Sequence, residues 1–214
     1  MQTETNTIDT NRQDGTVPGS LLIKPEELDA WFHQKFNQEM EKYQENKIPS
    51  MTIIATKGTL DMAYPPFILA STAAALGWEV SIFFTFYGLE LLKKDLDLKV
   101  SPLGNPAMPM KLPYGPQWLQ NMKLNIPNLI MANLPGFEQM STHMMTQTTS
   151  SKGVASIEEL RELSVEAGVN MIACQMTVDL FNYAENEFMD EISEWVGAAS
   201  FLPRAVKADV NLFI

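Results

Sequence analysis

The chain has 214 residues, 45% of them apolar and 19% charged, enough for one soluble domain with length to spare. Fifteen Lys and Arg stand against 26 Asp and Glu, a net charge of −11, and so acidic a surface repels nucleic acid and anionic lipid. One cysteine and two histidines exclude an internal disulfide framework, a cysteine-based zinc site and a histidine-rich metal centre, and point to a reducing, cytoplasmic setting.

Residues 1–24 are rich in Thr, Asn, Asp and Gly, carry no apolar targeting core and read as a disordered tail. Residues 25–48 read as an N-terminal helix. Pro25 suits a first helical position, and Glu26 and Glu27 suit the positive end of the dipole. Leu28, Trp31, Phe32, Phe36 and Met40 recur three and four apart, an aromatic stripe that predicts packing on the domain or on a partner subunit.

The main domain is expected over residues 50–214. It opens with a β-branched run at 51–56, a turn at 57–59, and a helix over 61–76 that Gly77 ends. Residues 78–84 read as a second buried strand and 88–94 as a helix. The stretch 67–86 holds a single charge, Glu79, but Gly77 divides it into helix and strand, so no membrane span is expected. Strand, helix and strand joined by short turns predict a parallel α/β sheet. Residues 101–136 carry seven prolines and read as a long loop or lid with a short helix near 117–124. Helices follow over 137–146 and 156–167, the second opened by a Ser156/Glu159 capping box. A third buried strand covers 169–173, with Cys174 at its C-terminal end. Helices over 177–183, 190–195 and 198–208 lead to a last strand at 210–214.

Ligand sites in open α/β sheets form outside the carboxyl ends of the strands. Two candidates fall there: the turn holding Lys57, Gly58 and Thr59, and Cys174. A free cysteine is often inert packing. A thiol where a strand passes into a helix also meets unpaired backbone N–H groups that favour a thiolate. No Lys, Arg or His lies within ten residues of it, which leaves Lys57 or His143 as support from elsewhere in the fold. A lone cysteine has no resolving thiol for disulfide exchange, and no Thr shortly precedes it as a one-cysteine peroxidase would want. It suits a carrier, whose sulfur attacks a sulfane donor and hands the outer sulfur to an acceptor thiol. The 56–59 turn could cradle a phosphate, although one glycine and two hydroxyls fit a plain strand-to-helix turn better. Asp61 reads as a first-turn residue rather than a catalytic acid. Of 14 methionines, half lie between Met108 and Met145, around His143. Soft-metal spacing is one reading, and adaptable packing explains them with less. No metal and no cofactor are expected.

Residues 53–61 (IIATKGTLD), 78–89 (WEVSIFFTFYGL), 168–179 (GVNMIACQMTVD) and the closing ADVNLFI resemble the DsrE-like (DsrE/DsrF/DsrH) sulfur-relay family, closest to its DsrE2-type subgroup. The resemblance covers about residues 50–214. It implies a three-layer α/β/α fold with a mainly parallel sheet, homo- or hetero-oligomers, and a cysteine, here Cys174, that carries sulfur as persulfide or thiosulfonate. It further implies TusA-like carriers and rhodanese-like sulfurtransferases as partners, and a heterodisulfide-reductase-like complex in sulfur oxidation. Some relatives have a second cysteine or a membrane segment, and this chain has neither, which favours a stoichiometric carrier over a multiple-turnover transferase. Two alternatives stand beside the carrier: a regulatory or scaffolding subunit with a structural cysteine, and a flavin- or nucleotide-binding module at the 56–59 turn.

Overall fold

A computed structural model describes residues 24–101, 115–121, 133 and 135–214. The expected tail, most of the proline-rich loop, and Met108 and Met110 lie outside the described residues. The chain divides into two units, residues 1–47 and 48–214. In the first, α1 (Pro25–Asn46) is a helix of 22 residues, none of them buried.

The second unit is built on a five-stranded parallel sheet. Its strands are β1 (Ser50–Ala55), β2 (Glu79–Phe84), β3 (Asn170–Cys174), β4 (Glu194–Val196) and β5 (Val210–Phe213), in the order β4-β3-β2-β1-β5. The first four step toward one edge, and β5 returns to the other side of β1. Asp209 fixes that return: its carboxylate accepts hydrogen bonds from the Ser50 amide at 2.9 Å and the Ser50 hydroxyl at 3.0 Å. The last residue, Ile214, donates to Ile54 O and accepts from Thr56 N, both at 2.8 Å.

Alternation along the strands sorts side chains onto two faces. Ile53 and Ala55, Ile82 and Phe84, and Met171 and Ala173 turn toward α2 (Leu60–Ala75) and α5 (Ile157–Glu166). There Phe67 and Phe84 meet with ring centroids 5.9 Å apart. Pro65 and Pro66 lie inside α2, where each removes a backbone donor. The helix persists because Ala63, Pro66, Phe67, Ala70 and Ala73 are buried along it, and tertiary packing outweighs the local penalty. The capping box of α5 is present: Ser156 Oγ accepts from the Glu159 amide at 3.2 Å, and Glu159 Oε2 accepts from the Ser156 amide at 2.8 Å. Between these helices in sequence come α3 (Gln117–Gln120) and α4 (Phe137–Ser151). The second is tied in by Val100 N donating to Thr142 Oγ1 at 3.0 Å.

The other face is covered differently. Ile54, Phe83, Ile172, Cys174 and Val196 turn toward a single short helix, α7 (Ala198–Ala205), and chiefly toward Phe201. The sheet is thus parallel with helices on both sides, the α/β fold expected from the sequence.

Two expected elements differ. Residues 88–94 were expected as an α-helix, but the chain forms a 3₁₀ segment over Phe86–Leu92. Gly88 lies so close to Ala55 O that an added Cβ would stand 2.1 Å from it, which fixes the segment before an α-helical turn can form. Residues 190–195 were expected as a helix, but they form a turn and then β4. Ile192, Trp195 and Val196 stand three and four apart, a helical spacing, and tertiary bonding overrides it. Ser193 N donates to Met171 O at 2.8 Å, and Met171 N donates to Ser193 Oγ at 3.1 Å.

Candidate functional site

Cys174 ends β3 and is also the residue from which α6 (Gln175–Phe181) starts. Its thiol is free and 2% exposed. Period-2 alternation puts it on the α7 face with Ile172, while Met171 and Ala173 point the other way. In register it pairs with Val196, and Phe83, Ile172 and Phe201 complete its buried surroundings. Phe83 and Phe201 stack with centroids 4.6 Å apart and planes 13° from parallel. One ion pair holds α7 to the sheet edge beneath it, Arg204 Nη2 to Glu194 Oε1 at 2.5 Å. The thiol therefore lies in a small apolar cluster to which α7 contributes Phe201.

The helix that Cys174 opens is held at both ends. At its start, the fully buried Thr177 places Oγ1 3.2 Å from Thr85 Oγ1 and 3.3 Å from the Phe86 amide, which donates to it. Phe86 takes a φ of 49°, a left-handed conformation that costs a bulky side chain about 1–3 kcal/mol. This strain is placed where β2 hands over to the 3₁₀ segment, against the first turn of α6. At the far end, Tyr183 donates to Glu90 Oε1 at 2.5 Å. Lys93 Nζ lies 3.2 Å from Glu90 Oε2 and 4.4 Å from the centroid of the Tyr183 ring. Burial, with the Glu90 carboxylate adding to it, pushes the Tyr183 phenol up to about 12. Sequence reasoning missed Phe86, Thr177, Glu90, Tyr183 and Phe201. The run TFYG at 85–88 held a visible signal for the first, an aromatic pair before a glycine at a strand end.

The other expected site residues are dispersed. Lys57 is exposed on the turn after β1, two strands from β3, and His143 is exposed on α4. Among the described residues no hydrogen bond or ion pair joins either to Cys174. Gly58 is packed backbone to backbone: an added Cβ would stand 2.3 Å from Tyr87 O. The Thr59 hydroxyl is buried and has no hydrogen-bond partner among the described residues. Thr56 turns inward, its hydroxyl donating to Ile214 O at 2.9 Å. The 56–59 segment is a close-packed turn, as its composition suggested. Asp61 Oδ1 accepts from the Ser101 amide at 3.0 Å, a structural tie. Met145 packs against the α2 face of the sheet, in line with methionine as filler. No group of three His, Cys, Asp or Glu side chains among the described residues is placed to hold a metal ion. Nor is any described helix long and apolar enough to cross a membrane.

Comparison with known proteins adds to this geometry. The model of the DsrE/DsrF/DrsH-like family matches residues 47–213. The chain is 60% identical over 164 residues to the sulfur carrier protein DsrE2 of Allochromatium vinosum, covering 77% of this chain and 97% of that one. It is 33% identical over 164 residues to the uncharacterized protein YrkE of Bacillus subtilis, covering 76% of this chain and 95% of that one.

Proposed function

The chain belongs to the DsrE/DsrF/DrsH-like family, and from that premise we propose that it is a cytoplasmic sulfur carrier. In this reading Cys174 holds sulfane sulfur, as a persulfide or thiosulfonate, and passes it to a partner protein's thiol. The observation that carries the reading is where the one cysteine sits: at the carboxyl end of β3, 2% exposed, in an apolar cluster with Phe83, Ile172 and Phe201. Similarity to a protein named as a sulfur carrier supports the same role.

Loading is a thiol exchange. The Cys174 thiolate attacks the outer sulfur of a persulfide donor, the donor's S–S bond breaks, and the donor leaves as its thiolate. Unloading repeats the exchange on the acceptor's thiolate and returns Cys174, so nothing is oxidised or reduced overall. With tetrathionate the same attack leaves a thiosulfonate on Cys174 and expels thiosulfate. The apolar surroundings keep water and stray thiols from the loaded sulfur, and transfer requires α7 to lift from the sheet. One thiol without a resolving partner makes the protein a stoichiometric carrier. Its partners in this reading are TusA-like carriers, rhodanese-like sulfurtransferases and a heterodisulfide-reductase-like complex. It acts as a homo-oligomer, and its acidic surface meets basic partner faces.

The burial of Cys174 favours a second reading, a scaffolding subunit whose cysteine is packing. Intact-protein mass spectrometry separates the two. Wild-type protein and Cys174→Ala are incubated with polysulfide, tetrathionate and glutathione persulfide. An adduct on the wild type alone, removed by an acceptor thiol protein, is the expected result. A thiol that is shown to be free yet takes no sulfur from any donor would leave the scaffold.

A further inference from the structure

Helix α1 lies outside the family match, which begins at residue 47. Its stripe is exposed: Leu28 51%, Trp31 56%, Phe32 58%, Phe36 53%, Met40 39% and Tyr43 62%. Most of a helix's stability in a protein comes from packing an apolar face, and an exposed stripe of this size is one that another surface covers. From this stripe we infer that α1 pairs antiparallel with α1 of a second copy, about a two-fold axis passing beside Phe36.

Two features select a second copy and this direction. The stripe is nearly symmetric about Phe36, with Phe32 and Met40 four residues to either side and Trp31 and Tyr43 farther out. An axis there sets Phe36 on the partner's Phe36, Phe32 beside the partner's Met40, and Trp31 beside the partner's Tyr43. One patch meets itself, as a two-fold interface requires. The charges agree with it. Glu39 pairs within its own helix with Lys42 at 2.8 Å, and across the axis each Lys35 comes within about one turn of the partner's Glu39, whereas parallel in-register pairing would oppose Lys35 to Lys35 and Glu39 to Glu39. The spacing fits a crossing of two helices rather than an extended coiled coil of either direction: Leu28, Phe32, Phe36 and Met40 advance in fours and drift around the helix, where a coiled-coil seam alternates steps of three and four. The stacked Phe32 and Phe36 rings, 6.3 Å apart and 17° from parallel, present one flat apolar centre for the crossing. This pairing is independent of any chemistry at Cys174.

The test uses the full chain carrying Cys174→Ser, with single cysteines added at exposed positions and a short bismaleimide as cross-linker. Phe36→Cys is expected to give a covalent dimer. Leu28→Cys alone is expected to give none, because its two copies would lie about 24 Å apart along the helices, 16 residues at the helical rise. A mixture of Leu28→Cys and Tyr43→Cys chains, which keeps Phe36, is expected to give the mixed dimer that neither chain gives alone. Cross-linking of Leu28→Cys to itself would mean parallel pairing and would overturn the inference. So would the absence of cross-links from both Phe36→Cys and the mixture.

Discussion

The two faces of the central sheet are covered unequally. On one, Ile53, Ile82, Phe84 and Met171 are fully buried beneath α2 and α5, whose own Phe67, Ala70 and Ile157 interlock with them. On the other, Phe83, Ile172 and Cys174 lie beneath one eight-residue helix, while Ile54 and Val196 are only half-buried. Beyond that helix Phe213, which pairs in register with Ile54, is 75% exposed among the described residues. A thick cover moves only when the domain unfolds, whereas a thin one can open locally at a fraction of the global free energy. The cysteine is on the thin side. In the carrier reading proposed above, shelter and access would be two states of one short helix rather than properties of a cleft.

Substitutions on each face put this contrast to the test. Phe67→Ala is expected to lower stability most, by about 4 kcal/mol, read from the urea midpoint, because the interlocked side cannot collapse around the cavity. Phe201→Ala is expected to cost less, about 3 kcal/mol, since the half-buried Ile54, Val196 and Ala205 can relax into the space. In native buffer, however, Phe201→Ala should speed alkylation of Cys174 by iodoacetamide about 10-fold, with Phe67→Ala close to wild type. If Phe67→Ala were the faster of the two, the thiol would be reached only by global unfolding, and the idea of a thin cover would fail.

The smallest effect concerns the far end of α6. The Tyr183 phenol, raised to about 12 from an ordinary 10.0, stays protonated in the fold over a range where the unfolded chain loses the proton. Its stabilising contribution is complete below about pH 10 and is lost as pH rises through about 12. Denaturant midpoints across that window should decline less steeply for Tyr183→Phe than for wild type. Equal slopes would mean that the Glu90 contact does not hold the loop.

Much of the fold was legible in the chain. The β-branched run at 51–54 and the apolar run at 80–84 announced β1 and β2, and Ser156 with Glu159 announced α5. Cys174 could be placed at a strand end because Gly168 closes one pattern and a short apolar run follows. The helices expected at 88–94 and 190–195 do not form because distant backbone groups, Ala55 against Gly88 and Met171 against Ser193, override the local spacing. Lys57 and His143 were chosen as cations that could reach the thiol, and the fold puts the first two strands away and the second on an exposed helix face.

By itself the sequence determined the period of each segment, the acidic surface and the restriction of sulfur nucleophiles to one cysteine. Those properties need only local sterics and composition. Which face Cys174 points into, what covers it, and the strained turn at Phe86 were decided by tertiary structure. A side chain's face depends on register, and its cover on which crossover returns there. Phe83 and Phe201 are far apart in the chain, and the crossover from β4 to β5 on the far side of β1 brings Phe201 of α7 onto Phe83 and into the cluster that holds Cys174.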